Sequence, residues 1–478
     1  MKARLIASEN RKWWTLAAVS FGLFMIMLDN TVVNVALPSI QRDLHMSTSQ
    51  LEWIVAAYAL TFAALMLTGG KLADLFGRRL LFMIGLGVFT GASLACGLAP
   101  SAGFLIGARI VQGVGAALMN PSTLSIITAT FPPRERGTAI GIWAGTSALA
   151  LAIGPLVGGL LTEHISWNWI FYVNIPVGLL GLVVARLAID ESRDTSQVQR
   201  LDLPGLATSA VGLFSLTYAL VEGNAHGWSS TLILSFFALA AISLVGFVLL
   251  ELHQKVPMLD VSLFRNPTFA GANTIAMLVS LAMFGVFFFI SLYVQQVLGY
   301  SPVKAGAIFL PMTVLIILVA PAAGKLTDRI GARWLLGGGM SLVGTSLLLF
   351  SRLEAGWGFW NLLPALMVGG LGMALTMTPM TAAAMGSVPV DKAGVGSGVL
   401  NTFRQVGGSL GIAFMGAILA NAISAKPGTA LASVQFVDGL KHALLISAGI
   451  AFVGAAVGVA TVRQVRHFEP VVMTEAPA

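Results

Sequence analysis

The sequence predicts an all-α membrane protein of 14 transmembrane helices, arranged as two pseudo-symmetric six-helix bundles with a two-helix central insert. Two observations predict this fold: the amino-acid composition and an internal repeat. Hydrophobic residues make up 56% of the chain and charged residues only 10%, whereas a soluble domain carries about 25% charged residues. Apolar runs of about 18 or more residues, long enough to span a bilayer, recur throughout. Because lipid satisfies no backbone groups and the alternation of a barrel is missing, the spans must be helices.

The internal repeat divides the chain into two related halves. The pattern G-K-L-x-D-x-x-G-x-R occupies residues 70–79 and returns 254 positions later, at residues 324–333. Two further groups return 257 positions later: Gly113-Val114-Gly115 as Gly370-Leu371-Gly372, and Pro132, Gly137 and Gly141 as Pro389, Gly394 and Gly398. Three matches in register are not expected by chance.

The apolar runs, taken in order, give six spans, then two, then six. The repeat relates the first six to the last six, so the central two form an insert. The predicted divisions are residues 1–190 for the N-terminal bundle, 191–262 for the insert with its flanking cytoplasmic connectors, and 263–478 for the C-terminal bundle and a short cytoplasmic tail. The spans lie near residues 14–37 (ended by Pro38), 51–69, 80–98, 103–125, 138–162, 169–189, 204–222, 230–251, 269–293, 304–323, 334–351, 359–387, 395–420 and 439–462.

Lysine and arginine lie mostly on one side of these spans. With the N-terminus in the cytoplasm, the cytoplasmic segments hold 20 of the 27, the outer segments hold five, and Arg109 and Arg404 lie within spans. This asymmetry predicts a multi-pass protein of the inner or plasma membrane with both termini cytoplasmic. It also accounts for the net charge of +7 without a nucleic-acid partner. The only cysteine, Cys96, lies within an apolar run, so no intramolecular disulfide can form.

An acidic residue lies inside the first span, where it costs about 2.5–3.5 kcal/mol on insertion scales and needs a partner or a function. Asp29 lies eight residues before the outer end, and Arg109 lies six residues into the fourth span. Their depths, about 12 and 9 Å at the helical rise, are similar. We expect both to face a common cavity of the first bundle, and we assign Asn34 and Gln112 of the same spans to the same site. Two interpretations are open: coupling of proton and substrate movement, or a static structural ion pair.

The fifth span contains a glycine motif at residues 154–159. Gly154 and Gly158 form a G-x-x-x-G face that lets another helix approach closely. Pro155 removes a backbone donor and can bend the helix. The same pattern is also common in ordinary membrane packing. The corresponding helix of the second half has Ile412 where the proline would be, so the halves differ at this bend.

The two charged loops are predicted to act as a cytoplasmic latch, although each could instead be a short turn that only fixes topology. A carboxylate is stabilised at a helix N-terminus, so we expect Asp74 near residues 394–398 and Asp328 near residues 137–141. The latch residues are Gly70, Asp74, Gly77, Arg78 and Arg79 in the first loop and Asp328, Arg329 and Arg333 in the second.

Methionine and phenylalanine are dense in the second half, where they make adaptable apolar surfaces or pack against lipid. We assign Phe287, Met373, Met377 and Arg404 to a candidate substrate cavity. Glu222, at the end of a span, is interpreted as an interfacial residue. Signatures of catalysis are missing: no phosphate loop and no H-E-x-x-H occur, and the six histidines lack metal-ligand spacing. We therefore expect no enzyme activity, no cofactor and no metal.

These residues resemble the major facilitator superfamily, in its 14-helix drug:proton antiporter branch. The resemblance covers nearly the whole chain and rests on the first charged loop, the antiporter motif Gly154, Pro155, Gly158 and Gly159, and the segments 28–38, 109–115 and 167–176. Asn168 stands where family members usually have arginine, so no ion pair is expected there. The resemblance implies a central cavity, alternating access and export of hydrophobic, often cationic, compounds in exchange for protons.

Other functions remain open at this point. The same fold could import a substrate, although the antiporter motif argues against this by resemblance, or could export a specific endogenous metabolite or lipid. A non-transporting membrane sensor or channel is a different class. The expected partners are a small-molecule substrate, protons and membrane lipid, and the expected state is a monomer.

Overall fold

The protein is built from long helices. The structure, a computed structural model, describes residues 10–193, 202–254, 257, 259–354, 356–388, 393–422 and 430–463. All regular structure in these residues is helical. The α-helices are α1 Arg11–Leu44, α2 Thr48–Phe76, α3 Arg78–Gly97, α4 Ala102–Thr130, α5 Pro133–His164, α6 Trp169–Tyr172, α7 Asn174–Ala188, α8 Leu203–His226, α9 Thr231–His253, α10 Pro267–Leu292, α11 Pro302–Ile308, α12 Leu310–Ile330, α13 Ala332–Phe350, α14 Phe359–Gly386, α15 Ala393–Ala422 and α16 Ala430–Thr461.

Thirteen helical segments of the described residues are long and apolar enough to cross a membrane. Two of them are broken helices, since α6 with α7 and α11 with α12 each count as one segment. The helix α5 covers the predicted fifth span but is not among the thirteen. The last helix begins at Ala430, nine residues before the predicted boundary. The residue Pro389 of the repeat and the predicted tail after residue 463 lie outside the described residues.

The first helix continues through its proline, so the prediction that Pro38 ends the first span is wrong for the helix. It runs on to Leu44. Proline has no backbone N–H, which leaves the carbonyl four residues earlier without its intrahelical donor. That carbonyl belongs to Asn34, and the hydroxyl of Ser291 donates to it at 2.9 Å. A contact from the second half thus satisfies the group that the proline leaves free.

This contact marks the side of the molecule on which the halves meet, called here the Leu44 face; the opposite side, where α1 begins, is the Arg11 face. Asn34 and Ser291 are related by the 257-residue offset of the repeat. Beside them, Gln295 donates to the Val35 carbonyl at 2.9 Å. Among the described residues, four side-chain hydrogen bonds between residues 11–188 and 267–461 lie on this face. The two halves are therefore joined there.

The buried core follows the same division. One apolar cluster fills the second half and continues into the Leu44 side of the first half, from Val32 to Phe289 and Met415. A separate cluster, which includes Phe82 and Phe131, lies within the first half toward the Arg11 face. The main apolar core is thus continuous across the halves on the Leu44 face. Toward the Arg11 face, a smaller cluster of the second half, with Val388 and Val399, packs against Leu67 of α2.

The two central helices dock against both halves through α8. The indole of Trp53 on α2 donates to Glu222 at 3.0 Å, and Asn224 donates to the Ala417 carbonyl of α15 at 2.8 Å. The next helix, α9, presents a mainly apolar surface to the outside, with Ile242 71% exposed. Such a surface suits contact with lipid. The interpretation of Glu222 as merely interfacial is incomplete, because it binds a side chain of the first half.

The glycine motif of α5 packs against α1. The carbonyl of Val32 approaches Gly158 so closely that an added Cβ would lie 2.6 Å from it, and an added Cβ on Gly154 would overlap the Thr31 hydroxyl. Small residues let membrane helices approach to this distance. The motif therefore holds α5 beside the segment of α1 that carries Asp29.

We expect Gly154→Ala to lower the thermal stability of the detergent-purified protein, because its methyl group must displace Thr31. Gly145→Ala, on the same helix, is the matched control, since a Cβ at Gly145 meets nothing within 4 Å. Alanine is favoured over glycine in a helix by about 0.8–1 kcal/mol, so the control should be neutral or stabilising. Equal melting temperatures for the two variants would contradict the close packing.

Candidate functional site

Asp29 and Arg109 form a buried ion pair between α1 and α4. The guanidinium Nη1 of Arg109 donates to Asp29 Oδ2 at 2.5 Å. Their side chains are 0% and 1% exposed. The similar depths that the sequence predicts thus place the two groups in direct contact. They do not line an open cavity as expected, because the packed interior of the first half encloses them.

Gln112 connects this pair to α3. Its amide nitrogen donates to Asp29 Oδ1 at 3.0 Å and to the hydroxyl of Ser93 at 2.9 Å. Its amide oxygen accepts from Arg109 at 2.6 Å. Asn174 of α7 donates to the same Ser93 hydroxyl at 3.4 Å. Both carboxylate oxygens of Asp29 therefore have donors, and one amide holds the acid and the base together.

The rest of the guanidinium is also bound. Arg109 Nε donates to the Ile54 carbonyl of α2 at 3.0 Å, and its carbon lies 4.2 Å from the ring centroid of Tyr58. Cations over an aromatic face are attracted by the ring quadrupole. Residues of four helices thus fix Arg109 in one position. Protonation of Asp29 would remove the charge that this arrangement balances.

The fourth residue assigned to the site lies elsewhere. Asn34 is buried, 7% exposed, and its amide nitrogen donates within α1 to the Asn30 carbonyl at 3.5 Å. Its role in the structure is the backbone contact with Ser291 on the Leu44 face. Sequence reasoning missed Ser93, Tyr58 and Asn174, because only the rotation of their helices brings them to the pair.

The first charged loop is bound within its own half. Arg78 donates to Asp74 at 2.9 Å. Gly77, with φ of +122°, forms the turn in a conformation that glycine adopts readily. After the turn, the carboxylate of Glu191 accepts from the backbone N–H groups of Arg79 and Leu80 at 3.0 and 3.2 Å. An acid at a helix N-terminus is stabilised by these donors, so Glu191 caps α3 beside Arg79.

In the described residues Asp74 is paired with Arg78, and its contact with residues 394–398 of the second half stays a prediction. Gly70, one turn before Asp74, lies beside Pro121 of α4. On the partner side, Gly398 approaches Leu67 of α2, whereas residues 389–392 and the side chains at 137, 141, 328 and 394 lie outside the description. The predicted Asp328 contact therefore lies outside the described residues as well.

The second loop is held differently from the first. Arg329 is exposed, and Arg333 lies 5.2 Å from the ring centroid of Trp334. Gly331 forms the turn with φ of +82°. The repeat thus preserves the backbone turn, while the side-chain partners of the two loops differ.

The antiporter motif reaches the second half on the Leu44 face. An added Cβ on Gly159 would lie 2.5 Å from the Pro302 carbonyl of α11, and the Pro155 carbonyl lies against Gly306. At the end of α5, Glu163 accepts from the Val303 N–H at 2.8 Å. The motif therefore forms part of the contact between the halves, and Glu163 is a contact residue that sequence reasoning missed.

Comparison with known proteins identifies the family of this fold and site. Residues 19–412 match the family model of the Major Facilitator Superfamily. The chain belongs to this superfamily. It is therefore a multi-pass membrane transporter, and its family consists of transporters rather than enzymes.

Its relatives are drug-resistance transporters of the superfamily. The tetracenomycin C resistance and export protein of Streptomyces glaucescens is 37% identical over 417 residues, which cover 87% of this chain and 77% of the relative. The puromycin resistance protein of Streptomyces alboniger is 38% identical over 451 residues, which cover 93% and 89%. The multidrug transporter protein MdtP of Bacillus subtilis is 32% identical, over 92% and 81% of the two chains.

Two solved transporter structures share the fold. A peptide transporter crystallised with sulfate superposes with a TM-score of 0.68 at 16% identity, over 94% of each chain. A bacterial homologue of the lysosomal transporter Spinster, in an inward-facing and unoccupied conformation, gives 0.68 at 19% identity, over 96% of this chain and 98% of the other.

The residues assigned to a substrate cavity lie in the packed second half of this transporter. Met373 is buried, and Phe287 and Met377 pack against the same core. The Nε atom of Arg404 is buried without a hydrogen-bond partner in the described residues. Two cavities lie elsewhere: one of about 450 Å³ between α1, α5 and α7, lined by Trp13, Phe21 and Phe24 among others, and one of about 170 Å³ between α8, α9 and the flanking helices α2, α10 and α15.

The segment at residues 167–176 braces the Leu44 face of the first half. Asn168 donates to the Gly97 carbonyl at 2.7 Å, and the Tyr172 hydroxyl donates to the same carbonyl at 2.8 Å. Both bonds satisfy the C-terminal end of α3. Asparagine at this position therefore makes a neutral contact.

We expect Arg109→Met to destabilise the transporter by about 3–5 kcal/mol, because it leaves the buried charge of Asp29 unpaired. Adding Asp29→Asn to this variant should recover part of the loss, since a neutral amide needs no cation. Thermal unfolding in detergent measures the effect. Arg42→Met is the control, because this arginine is exposed on α1 and, within the described part of the chain, its side chain bonds to Ser39 alone. Losses that simply add in the double variant would contradict the coupling of the pair.

Proposed function

We propose that the protein is a proton-coupled antiporter that exports hydrophobic small molecules, including cationic ones, as a multidrug efflux pump. The observation that carries the proposal is the enclosed Asp29–Arg109 pair with its Gln112 bridge. An intramembrane acid is a candidate proton site by default, and this one has a single cation as its counter-charge. The relative named as a tetracenomycin C resistance and export protein supports the direction of transport. The relatives named as a puromycin resistance protein and a multidrug transporter support the class of substrate.

Proton binding at Asp29 would compete with Arg109. When the carboxylate is ionised, it accepts charge-assisted bonds from Arg109 and an amide bond from Gln112. When it is protonated, the attraction to Arg109 is lost, and the packing of α1 against α4 is weakened. Gly154 and Gly158 of α5 pack against the part of α1 that carries Asp29. A shift of α1 would therefore move α5, and with it the contact between α5 and α11. Proton binding at Asp29 would in this way change the contact between the two halves on the Leu44 face.

The proposed architecture for alternating access has 14 spans: six in each half and two in the insert. Thirteen are the segments described above, and α5 is the fourteenth. The excess of lysine and arginine favours cytoplasmic termini, which makes the Arg11 face cytoplasmic and the Leu44 face external. The side-chain bonds between the halves on the Leu44 face then correspond to a state closed to the outside. A hydrophobic substrate would enter from the cytoplasm or the inner leaflet, where the 450 Å³ cavity with its aromatic lining lies.

We expect Asp29→Asn to be less stable than the wild type, because the buried Arg109 loses its counter-charge, but still to reach the membrane in folded form. It should lose proton-driven export, because an amide cannot take up and release the proton. The measurement is uptake of a fluorescent cationic dye by inverted membrane vesicles, with and without an uncoupler. Asp438→Asn is the control, since this acid is 57% exposed on α16 and pairs only with Lys441 in the described residues. Uncoupler-sensitive uptake at the wild-type rate in Asp29→Asn would remove Asp29 from the mechanism.

In the state that is open on the Leu44 face, the first charged loop is proposed to close the Arg11 face. Asp74 would then exchange its bond with Arg78 for a contact with the start of α15. Asp74→Asn should then shift the population toward the state open on the Arg11 face and slow turnover, with a smaller effect on substrate affinity. Spin labels at Leu80 and Val395, both exposed on this face, measure the distance. Asp190→Asn, a 76% exposed acid on the same side, is the control. If Asp74→Asn leaves the distribution of Leu80–Val395 distances unchanged, the loop is not a latch and serves only to fix the topology.

A further inference from the structure

A second intramembrane acid lies apart from the Asp29 pair. Glu52, the fifth residue of α2, is 3% exposed. Among the described residues, its carboxylate has no hydrogen-bond donor and no ion-pair partner. The carboxylate lies directly against Gly416 of α15, where an added Cβ would overlap it. The contact between α2 and α15 thus encloses an acid that has no donor.

The insert brings a second carboxylate to this place. Trp53 and Ala417 directly follow Glu52 and Gly416 in the chain, and both are bound by the end of α8. Trp53 donates to Glu222 at 3.0 Å, and Asn224 donates to the Ala417 carbonyl at 2.8 Å. Glu222 is 17% exposed and therefore keeps some contact with water. The two acids lie where α2, α8 and α15 meet on the Leu44 face; this contact is called here the seam.

Other charges near this seam are few in the described residues. On α8, His226 Nδ1 lies 3.8 Å from Glu222, on its solvent side, since His226 is 45% exposed. On α15 the only charged residue is Arg404, twelve positions from Gly416 or about 18 Å at the helical rise. On α16, Asp438 and Lys441 pair with each other at 3.5 Å. No cation of these helices thus balances Glu52.

Arg109 of α4 does not balance Glu52 either. It binds the Ile54 carbonyl with Nε and Asp29 with Nη1. An enclosed carboxyl group without donor or cation is stable only in its neutral form, and a neighbouring ionised carboxylate reinforces this.

We propose that Glu52, with Glu222 beside it, is a proton-binding site distinct from Asp29, occupied while α2 and α15 are closed on the Leu44 face and emptied when they part. Opening hydrates Glu52 and lets it release its proton to that side. The inference rests on the proposed alternating access, but it concerns the closure of this seam and needs no substrate. Protons would thus favour the closed seam directly. Release of one proton on opening limits the change in the open-to-closed ratio to about tenfold per pH unit.

The test is a pH titration of the seam in nanodiscs without substrate. Spin labels at Thr48 and Ala420, exposed positions at the ends of α2 and α15 on this face, report its width, and the buried Cys96 is not labelled. The wild-type open fraction should rise with pH. Glu52→Gln, which mimics the neutral acid, should stay closed at all pH values. Glu222→Gln should shift the transition to lower pH, because the like charge that holds the proton on Glu52 is gone.

Two control variants separate this inference from the proposed function. Glu354→Gln removes an exposed acid that follows α13 and should titrate like the wild type. Asp29→Asn should keep the pH response of the seam even though export is lost. A wild-type distance that does not change with pH, or a response that persists in Glu52→Gln, would overturn the proposal whatever the transport assay shows. An unshifted transition in Glu222→Gln would overturn the part assigned to Glu222.

Discussion

The structure depends on one constraint, the need to keep two opposite charges together inside an apolar bundle. Asp29 and Arg109 are almost completely buried, and desolvating either alone would cost several kcal/mol. Their bonds draw on α1, α2, α3 and α4, through the Ile54 carbonyl, Ser93 and Gln112. Separation of α1 from α4 would leave both buried charges without their partner, and displacement of α2 or α3 would break a hydrogen bond of the same network. The first half is therefore expected to move as one body.

The second half shows what the bundle looks like without this constraint. The 257-residue offset of the repeat places Val286 at the position of Asp29 and Leu366 at the position of Arg109. Both are fully buried in the apolar cluster of that half. The repeat thus preserves the backbone, as in the pseudo-symmetric contact of Asn34 with Ser291, while the buried acid–base pair is found only at the first-half copy of these two positions. The pseudo-symmetry is structural rather than chemical.

Sequence alone predicted the helices and the similar depths of Asp29 and Arg109, because apolar length and helical rise fix position along the membrane normal. It did not predict which side chains meet, since that depends on the rotation of each helix. Ser93, Tyr58 and Glu52 were missed for this reason. The end of the first helix was misjudged because the partner that compensates Pro38, Ser291, lies 253 residues further along the chain. Glu191 was missed as the cap of α3 for a similar reason, because it lies 112 residues from Arg79 in the sequence.

The central insert follows the same logic of buried polar groups. Its helix α8 binds α2 through Glu222 and α15 through Asn224, so it bridges the two halves. If the halves rotate, α8 cannot keep both bonds unless it moves with the seam. The apolar cavity of about 170 Å³ beside it leaves space that a close-packed interior would lack, which eases such a shift. The two hydrogen bonds at the end of α8 and the cavity beside it would let the insert move with either half. Glu52 lies at the same place, where separation of the halves would expose it to water.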